Sequence, residues 1–334
     1  MPCLPSNKGH TKKMIKHKLV AIAFLLFGAT FYQHTFAQYP ERTIKILVGF
    51  AAGGPTDSSA RALAEGLTRA LGQQVVIENR PGANAQIAAI ELIKSAADGY
   101  TLMLASNGTL AVAGARYAKL PYDVERDFTP IGSVAGYPHV LVVPPQSPAN
   151  DLASLIRLAK ATPKGLTAAV TGHANELTVE WLKKDANIEL TSVIYKGASA
   201  VINDLVAGRV DMALLAPNVV TPMLESKRMK AIAVTGANPA ADLPGVATMM
   251  ASGLANFELD IWNGLVAPAG TSPSIIEKLN VALKQTLIQP EFQKTLAVSG
   301  QYAIIDTAAE FKRKYDKEAA HWKKIATDAK LPLL

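Results

Sequence analysis

Short apolar runs alternate along this chain with stretches in which apolar residues recur every three or four positions. Thr43–Val48 reads as a buried strand, and Ser59–Leu71 as a helix with Ala60, Leu63, Ala64, Leu67 and Leu71 on one face. Val75–Asn79 is the next strand, closed by Arg80-Pro81-Gly82. Ile87–Ile93 suits a helix, and Tyr100–Ala105 a third strand after the Asp98-Gly99 turn. This alternation predicts a parallel, doubly wound sheet. After looser sequence from Pro121, Ile131–Ala135 and Val140–Val143 read as strands separated by Gly136–His139. His139, with no identifiable partner, reads as a surface or packed histidine.

The rhythm then restarts. Leu152, Leu155, Ile156 and Ala159 have helical spacing, and Leu166–Val170 is a strand followed by a helix through Leu177, Val179, Trp181 and Leu182. Further strands are predicted within Ile188–Tyr195 and Val210–Leu215, with a helix from Ala198 between them. Phe257–Ala267 returns the chain to its first part. Ser272 caps a helix with Pro273 in its first turn, and a last helix runs from about Ala308 to Ala329. The pattern predicts two similar α/β lobes: residues 38–138 with 262–334, and an inserted lobe of residues 139–261. The crossings fall near Gly136–Val140 and Glu258–Asn263.

Polar sequence between these elements supplies the candidate chemistry. Gly49–Arg61 contains a glycine-rich turn between strand and helix, including Phe50, Ala52, Gly53, Gly54, Thr56 and Asp57. Such a turn offers backbone N–H groups at a positive helix end, which suits a carboxylate or phosphate. The same turn without a ligand is the plain alternative, with Asp57 as a helix cap. Thr171-Gly172-His173-Ala174-Asn175-Glu176 repeats the device in the second lobe. Ser106 and Asn107 follow the third strand at its carboxyl end, where open parallel sheets place their ligands. Ala216-Pro217-Asn218 closes a strand of the second lobe in the same way.

Composition narrows the function. The chain is 49% hydrophobic and 18% charged, which supports large cores and opposes disorder. Its net charge of +7 suggests nucleic acid until it is located. Lys8, Lys12, Lys13, Lys16 and Lys18 lie in residues 1–37, which hold no Asp or Glu, so the remainder carries only +2. Nucleic acid is therefore not expected as a partner. A basic stretch ending at Lys18, the apolar run Leu19–Ala29 and the small residues Thr35 and Ala37 predict a signal peptide cut after Ala37. A membrane anchor is the alternative, but the run is short for a spanning helix, which needs about 20 apolar residues. The only cysteine, Cys3, precedes the cut. An exported protein of this size without disulfides fits a bacterial periplasm.

Catalytic signatures are missing: there is no G-x-S-x-G, H-E-x-x-H or P-loop pattern, and the glycines at Gly49, Gly53 and Gly54 lack dinucleotide spacing. Only His139, His173 and His321 follow the leader. A binding protein without cofactor or metal is expected; an α/β enzyme acting on a small organic acid is the other class left open.

Motifs in order along the mature chain sharpen this. They include Tyr39-Pro40-Glu41-Arg42, Gly53-Gly54 with Asp57 and Ala60-Arg61, Leu71–Ala83, Asp98–Leu102, Leu120–Asp123 and Asp127–Pro130. Tyr195-Lys196-Gly197, Ala233–Thr235, Leu243–Val246 and Trp262–Thr271 complete the set. With these motifs the chain resembles the extracytoplasmic solute receptors of tripartite tricarboxylate transporters, the Bordetella uptake gene family. The resemblance implies a type II periplasmic-binding-protein fold with a cleft between two lobes. It also implies a small organic acid as ligand, a two-component membrane permease as partner, and a monomer. A ligand sensor with no transport role would share these features. The implied ligand loops are Phe50 to Asp57 and Thr171 to Glu176, with Ser106, Asn107 and Ala216-Pro217-Asn218 nearby. The sequence departs from the family pattern at Ala52, where proline is common, and at Asn84, where a glycine is common. It departs also at His173 and Glu176, which stand where serine and histidine are usual.

Overall fold

The first strand, β1 (Ile44–Val48), runs straight into the candidate loop, and its neighbours decide which end of the sheet carries that loop. A computed structural model describes residues 1–2, 39–53, 55–240 and 242–334. The expected leader therefore lies, beyond Met1 and Pro2, outside the described residues, as does Gly54. Residues Arg42–Leu334 form one compact unit and Met1–Glu41 cluster separately.

Two sheets organise the larger unit. The first contains β1, β2 (Val75–Asn79), β3 (Thr101–Ser106), β4 (Phe128–Pro138), β10 (Asp260–Pro268) and β11 (Tyr302–Ala303), in the order β11-β4-β10-β3-β1-β2. The second contains β5 (Val140–Val143), β6 (Leu166–Val170), β7 (Leu190–Ile194), β8 (Met212–Leu215) and β9 (Lys230–Val234), in the order β7-β6-β8-β5-β9. The result is the expected two-lobed α/β fold; β1, β2 and β3 are parallel as expected, and antiparallel strands join each sheet beyond them. β10 runs antiparallel to β3 and β4, and β5 runs antiparallel to β8 and β9. These strands flank the passages between sheets, and periodicity reports burial rather than direction.

Eleven α-helices are described: α1 (Pro55–Leu71), α2 (Gln86–Ile93), α3 (Ala113–Arg116), α4 (Val124–Asp127), α5 (Leu152–Ala161), α6 (His173–Ala186), α7 (Ala198–Val206), α8 (Pro217–Glu225), α9 (Pro273–Leu287), α10 (Pro290–Val298) and α11 (Ala308–Asp328). Ala60, Leu63, Ala64 and Leu67 of α1 are buried, as their spacing requires. Ser272 accepts the N–H of Ile275 at the start of α9, and Thr307 with Glu310 closes a capping box on α11. Residues Pro217 and Asn218 are the first turn of α8 rather than a loop, and α10 is a helix that the sequence pattern did not single out.

One passage between the sheets is a single residue and the other is long. β4 continues through Gly136 and Tyr137, which pair with Trp262 and Ile261 of β10, so His139 alone separates β4 from β5. The return passage leaves β9 at Val234 and reaches β10 at Asp260. Thr235 joins the two. Its N–H donates to the His139 carbonyl (2.9 Å) and its carbonyl accepts from Leu259 N–H (2.8 Å). Its hydroxyl accepts from His139 N–H (2.8 Å) and donates to the Leu259 carbonyl (2.6 Å).

One apolar cluster bridges the lobes. Trp181 of α6 stacks on Phe257 with centroids 4.2 Å apart and meets Trp322 of α11 edge-on at 6.0 Å. Trp262, Phe311 and Tyr315 continue it in the first lobe, each essentially buried. Such side chains contribute about 1.5–3 kcal/mol each relative to exposure.

Candidate functional site

β1 and β6 both end where a glycine-bearing turn hands the chain to a helix, and these two turns face one cavity. In the first, Asp57 sits in the opening turn of α1 and is buried. Its Oδ2 accepts from Gly53 N–H and from Arg61 Nε, each at 2.9 Å. Its Oδ1 accepts from Asn79 Nδ2 at 2.9 Å and Arg61 Nη2 at 3.0 Å. Asn79 Nδ2 also reaches the Phe50 carbonyl at 3.1 Å. Burial works to raise the Asp57 pKa, but these donors outweigh it and hold the carboxyl below its ordinary value. Asp57 thus shapes its own loop from inside.

Gly49 belongs to the same construction. A Cβ there would stand 2.2 Å from Ala85 Cβ. Ala83, Asn84 and Ala85 all have positive φ, at 46°, 51° and 68°, a costly path for residues other than glycine. That path brings Asn84 and Gln86 to the cavity.

In the second turn, Gly172 has a φ of +159° and opens α6 without a side-chain cap bond. Asn175 is buried and its Nδ2 donates to the Leu214 carbonyl at 3.1 Å. His173 Nε2 lies 3.2 Å from the Tyr117 hydroxyl, with the rings edge-to-face at 5.4 Å.

The cavity measures about 920 Å³. Of the sequence candidates, Phe50, Ala52, Gly53, Thr56, Ser106, Asn107, Thr171, Gly172, His173, Ala174 and Asn175 line it. Asp57, Glu176, Ala216, Pro217 and Asn218 do not: the two carboxylates are turned to protein partners, and the start of α8 does not reach the lining. Gly54 lies outside the described residues.

Other lining residues were not among the sequence candidates, although Asn84, Gly197 and Asn263 fall at or within the quoted family motifs. Asn84 and Tyr117 arrive from the segments after β2 and β3, and Gly197 and Ser199 from the start of α7. Asn263 of β10 pairs with Ser106 of β3, so the sheet supplies part of the lining. The Tyr195-Lys196-Gly197 motif was the one signal pointing toward α7. His139 is the packed residue of its two expected readings, and it also lines the cavity; burial pushes its pKa down to about 4, so its imidazole is neutral near pH 7.

Among the described lining residues there is no Asp, Glu, Lys or Arg. The starts of α1, α6 and α7 all reach the cavity, through Thr56, His173 and Ser199, and neither Gly172 nor Gly197 makes a side-chain cap bond. Among the described residues no cluster of metal-ligating side chains occurs.

The sequence profile of the family described as Tripartite tricarboxylate transporter family receptor matches residues 59–331. The chain is 33% identical over 298 residues to Protein BugT of Bordetella pertussis, covering 88% of this chain and 91% of BugT. Among solved structures, an R. palustris protein with adipate matches with a TM-score of 0.77 and 32% identity, over 89% of this chain and 100% of that one. MatC from Rhodopseudomonas palustris, with bound malate, matches with a TM-score of 0.73 and 29% identity, over 86% of this chain and 100% of MatC.

Proposed function

We propose, because this chain belongs to the tripartite tricarboxylate transporter receptor family, that its cleft captures a small carboxylate-bearing metabolite. The chain is a periplasmic solute-binding receptor of that transporter type, and membership implies a membrane permease as its partner. The finer proposal is that a two-component permease receives the ligand from a monomeric receptor whose leader is cut after Ala37.

The observation that supports a carboxylate is the absence of charged side chains from the described lining, together with three helix starts that reach it. Helix N-termini supply partial positive charge and unpaired N–H groups without the desolvation cost of a buried lysine. An anion is favoured there, and a cation has no carboxylate to meet. Thr56 would take one end of the ligand beside Gly53, whose own N–H is held by Asp57, with Gly172, His173 and Ser199 opposite. Closure would rotate the lobes about the passages at His139 and Leu259, because only the closed form lets both loops touch the ligand.

The relatives solved with adipate and malate make these two acids the first probes. Protein lacking residues 1–37 should show a thermal upshift and a calorimetric isotherm with at least one di- or monocarboxylate in a panel containing both. The matching amides should not bind. Equal binding of acid and amide would overturn the proposal, as would a panel in which only neutral solutes bind.

A further inference from the structure

Arg116 and Tyr117 are consecutive, yet one faces the cavity and the other lies behind its wall. Tyr117 is a lining residue, whereas the Arg116 side chain is 4% exposed and absent from the lining. Arg116 ends α3, on the segment between β3 and β4 of the first sheet. Its guanidinium reaches Glu176 in the first turn of α6, a helix whose flanking strands β6 and β7 belong to the second sheet. Nη2 lies 3.1 Å from Oε2 and 3.4 Å from Oε1. Nη1 donates to the Pro332 carbonyl at 2.7 Å, and Leu334 N–H donates to the Arg116 carbonyl at 2.8 Å.

From Glu176 the contacts run back to the cavity. His173 Nδ1 stands 3.6 Å from Glu176 Oε2. His173 Nε2 meets the Tyr117 hydroxyl, which accepts from Asn84 Nδ2 at 3.1 Å. Asn84, Tyr117 and His173 line the cavity, and Arg116 and Glu176 stand behind them.

A carboxylate in the first turn of a helix is stabilised by the helix dipole. Here that helix end is also offered to the ligand, so an unneutralised Glu176 would compete with an incoming anion for the same field. A carboxylate only 17% exposed is costly without a partner. We propose that Arg116 is the positioning residue of the second-lobe loop. From the other lobe it binds and neutralises Glu176. This fixes His173 and the first turn of α6 against the cavity and leaves that helix end available to an anion. The ligand-binding part of this proposal rests on the carboxylate reading; the positioning part does not.

An ordinary structural ion pair would suffer alike from loss of either partner. The positioning role is asymmetric in sign: Arg116→Gln leaves an unpaired carboxylate at the helix start offered to an anion, whereas Glu176→Gln leaves an unpaired guanidinium, still held by the Pro332 carbonyl, which does not repel one. In ligand-free protein lacking residues 1–37, amide hydrogen exchange across residues 171–177 should quicken at least about tenfold in Arg116→Gln. It should quicken less in Glu176→Gln and return toward wild type in the double variant R116Q/E176Q. By calorimetry with adipate and with malate, Arg116→Gln should weaken binding at least about tenfold. Glu176→Gln should tighten it, and the double variant should recover most of the loss.

Arg116→Lys keeps the charge without the planar fork and should stay within about fivefold of wild type in both measurements, which carries the test if Arg116→Gln does not fold. Unchanged exchange in Arg116→Gln, equal losses in the two single variants, or a tenfold or larger loss in Arg116→Lys would each overturn the proposal. If the wild type binds neither acid, that counts against the carboxylate reading with these probes, and the exchange measurements alone decide the role of Arg116.

Discussion

The two cavity loops each carry an acidic residue in the first turn of the helix that follows, and the two carboxylates answer to different partners. Asp57 closes on its own loop, accepting from Gly53, Arg61 and Asn79, all within the first lobe. Glu176 reaches out of its lobe to Arg116. The glycines differ in the same sense. Gly49 is packed so closely on Ala85 that no side chain fits, and Gly53 has a φ of +87°, the left-handed region that favours glycine. Gly172, at a φ of +159°, also favours glycine, but a Cβ there would meet nothing within 4 Å. The first loop is therefore a rigid, self-contained receptor surface, and the second takes its position from the opposite lobe. A clamp built this way needs only one preformed jaw, because the other is set when the lobes are together.

The comparison breaks most readily at Asp57. Asp57→Ala leaves the Gly53 N–H, Arg61 and Asn79 without their shared acceptor and should cost about 3 kcal/mol in urea unfolding. The pH dependence follows from the lowered Asp57 pKa: its stabilisation is present above the ordinary carboxylate pKa and is lost as pH falls through the folded-state value. Asp57→Asn should accordingly flatten the acid limb of a stability–pH curve, and an unchanged limb would remove Asp57 from this role.

Gly49→Ala comes next. The intruding methyl must displace the Ala83–Ala85 turn, at about 1–3 kcal/mol, and move Asn84 with it. Denaturant midpoints check the first effect and ligand affinity the second. A smaller effect is expected for Gly172→Ala, about 1 kcal/mol by the same method, from its φ of +159° alone, since the methyl displaces no neighbour. A loss as large as that of Gly49→Ala would erase the distinction between a packed and an open loop.

Much of this arrangement was legible in the chain and some was not, for identifiable reasons. β2 and β6 fall at Val75–Asn79 and Leu166–Val170, the residues their apolar runs mark, because a buried strand writes its length directly into hydrophobicity. Strand direction leaves no such trace, so the mixed character of both sheets was missed. The extension of β4 to Pro138 depends on pairing with β10, more than a hundred residues away. In the site, the two glycine turns announce themselves by composition. Asn84 reaches the cavity through a run of positive φ carried on alanines, which no propensity would suggest. The Arg116–Glu176 pair joins residues sixty apart that are neighbours only once both sheets exist. Asp57 and Glu176 look alike in sequence, since an acidic residue after a glycine turn reads the same whether its partner is local or remote.

The Thr235 junction has a consequence for how such proteins diversify. Because His139 and Leu259 are bonded to the same residue, the second sheet begins and ends at one point. A segment with adjoining ends behaves as a cassette whose exchange between relatives leaves the frame's chain path intact and has to match only the surface it packs on, Trp322 among it. A cassette swapped here would bring a new Glu176 position with it and leave Arg116 behind, so inheritance of the half-site and of its counter-charge would be uncoupled.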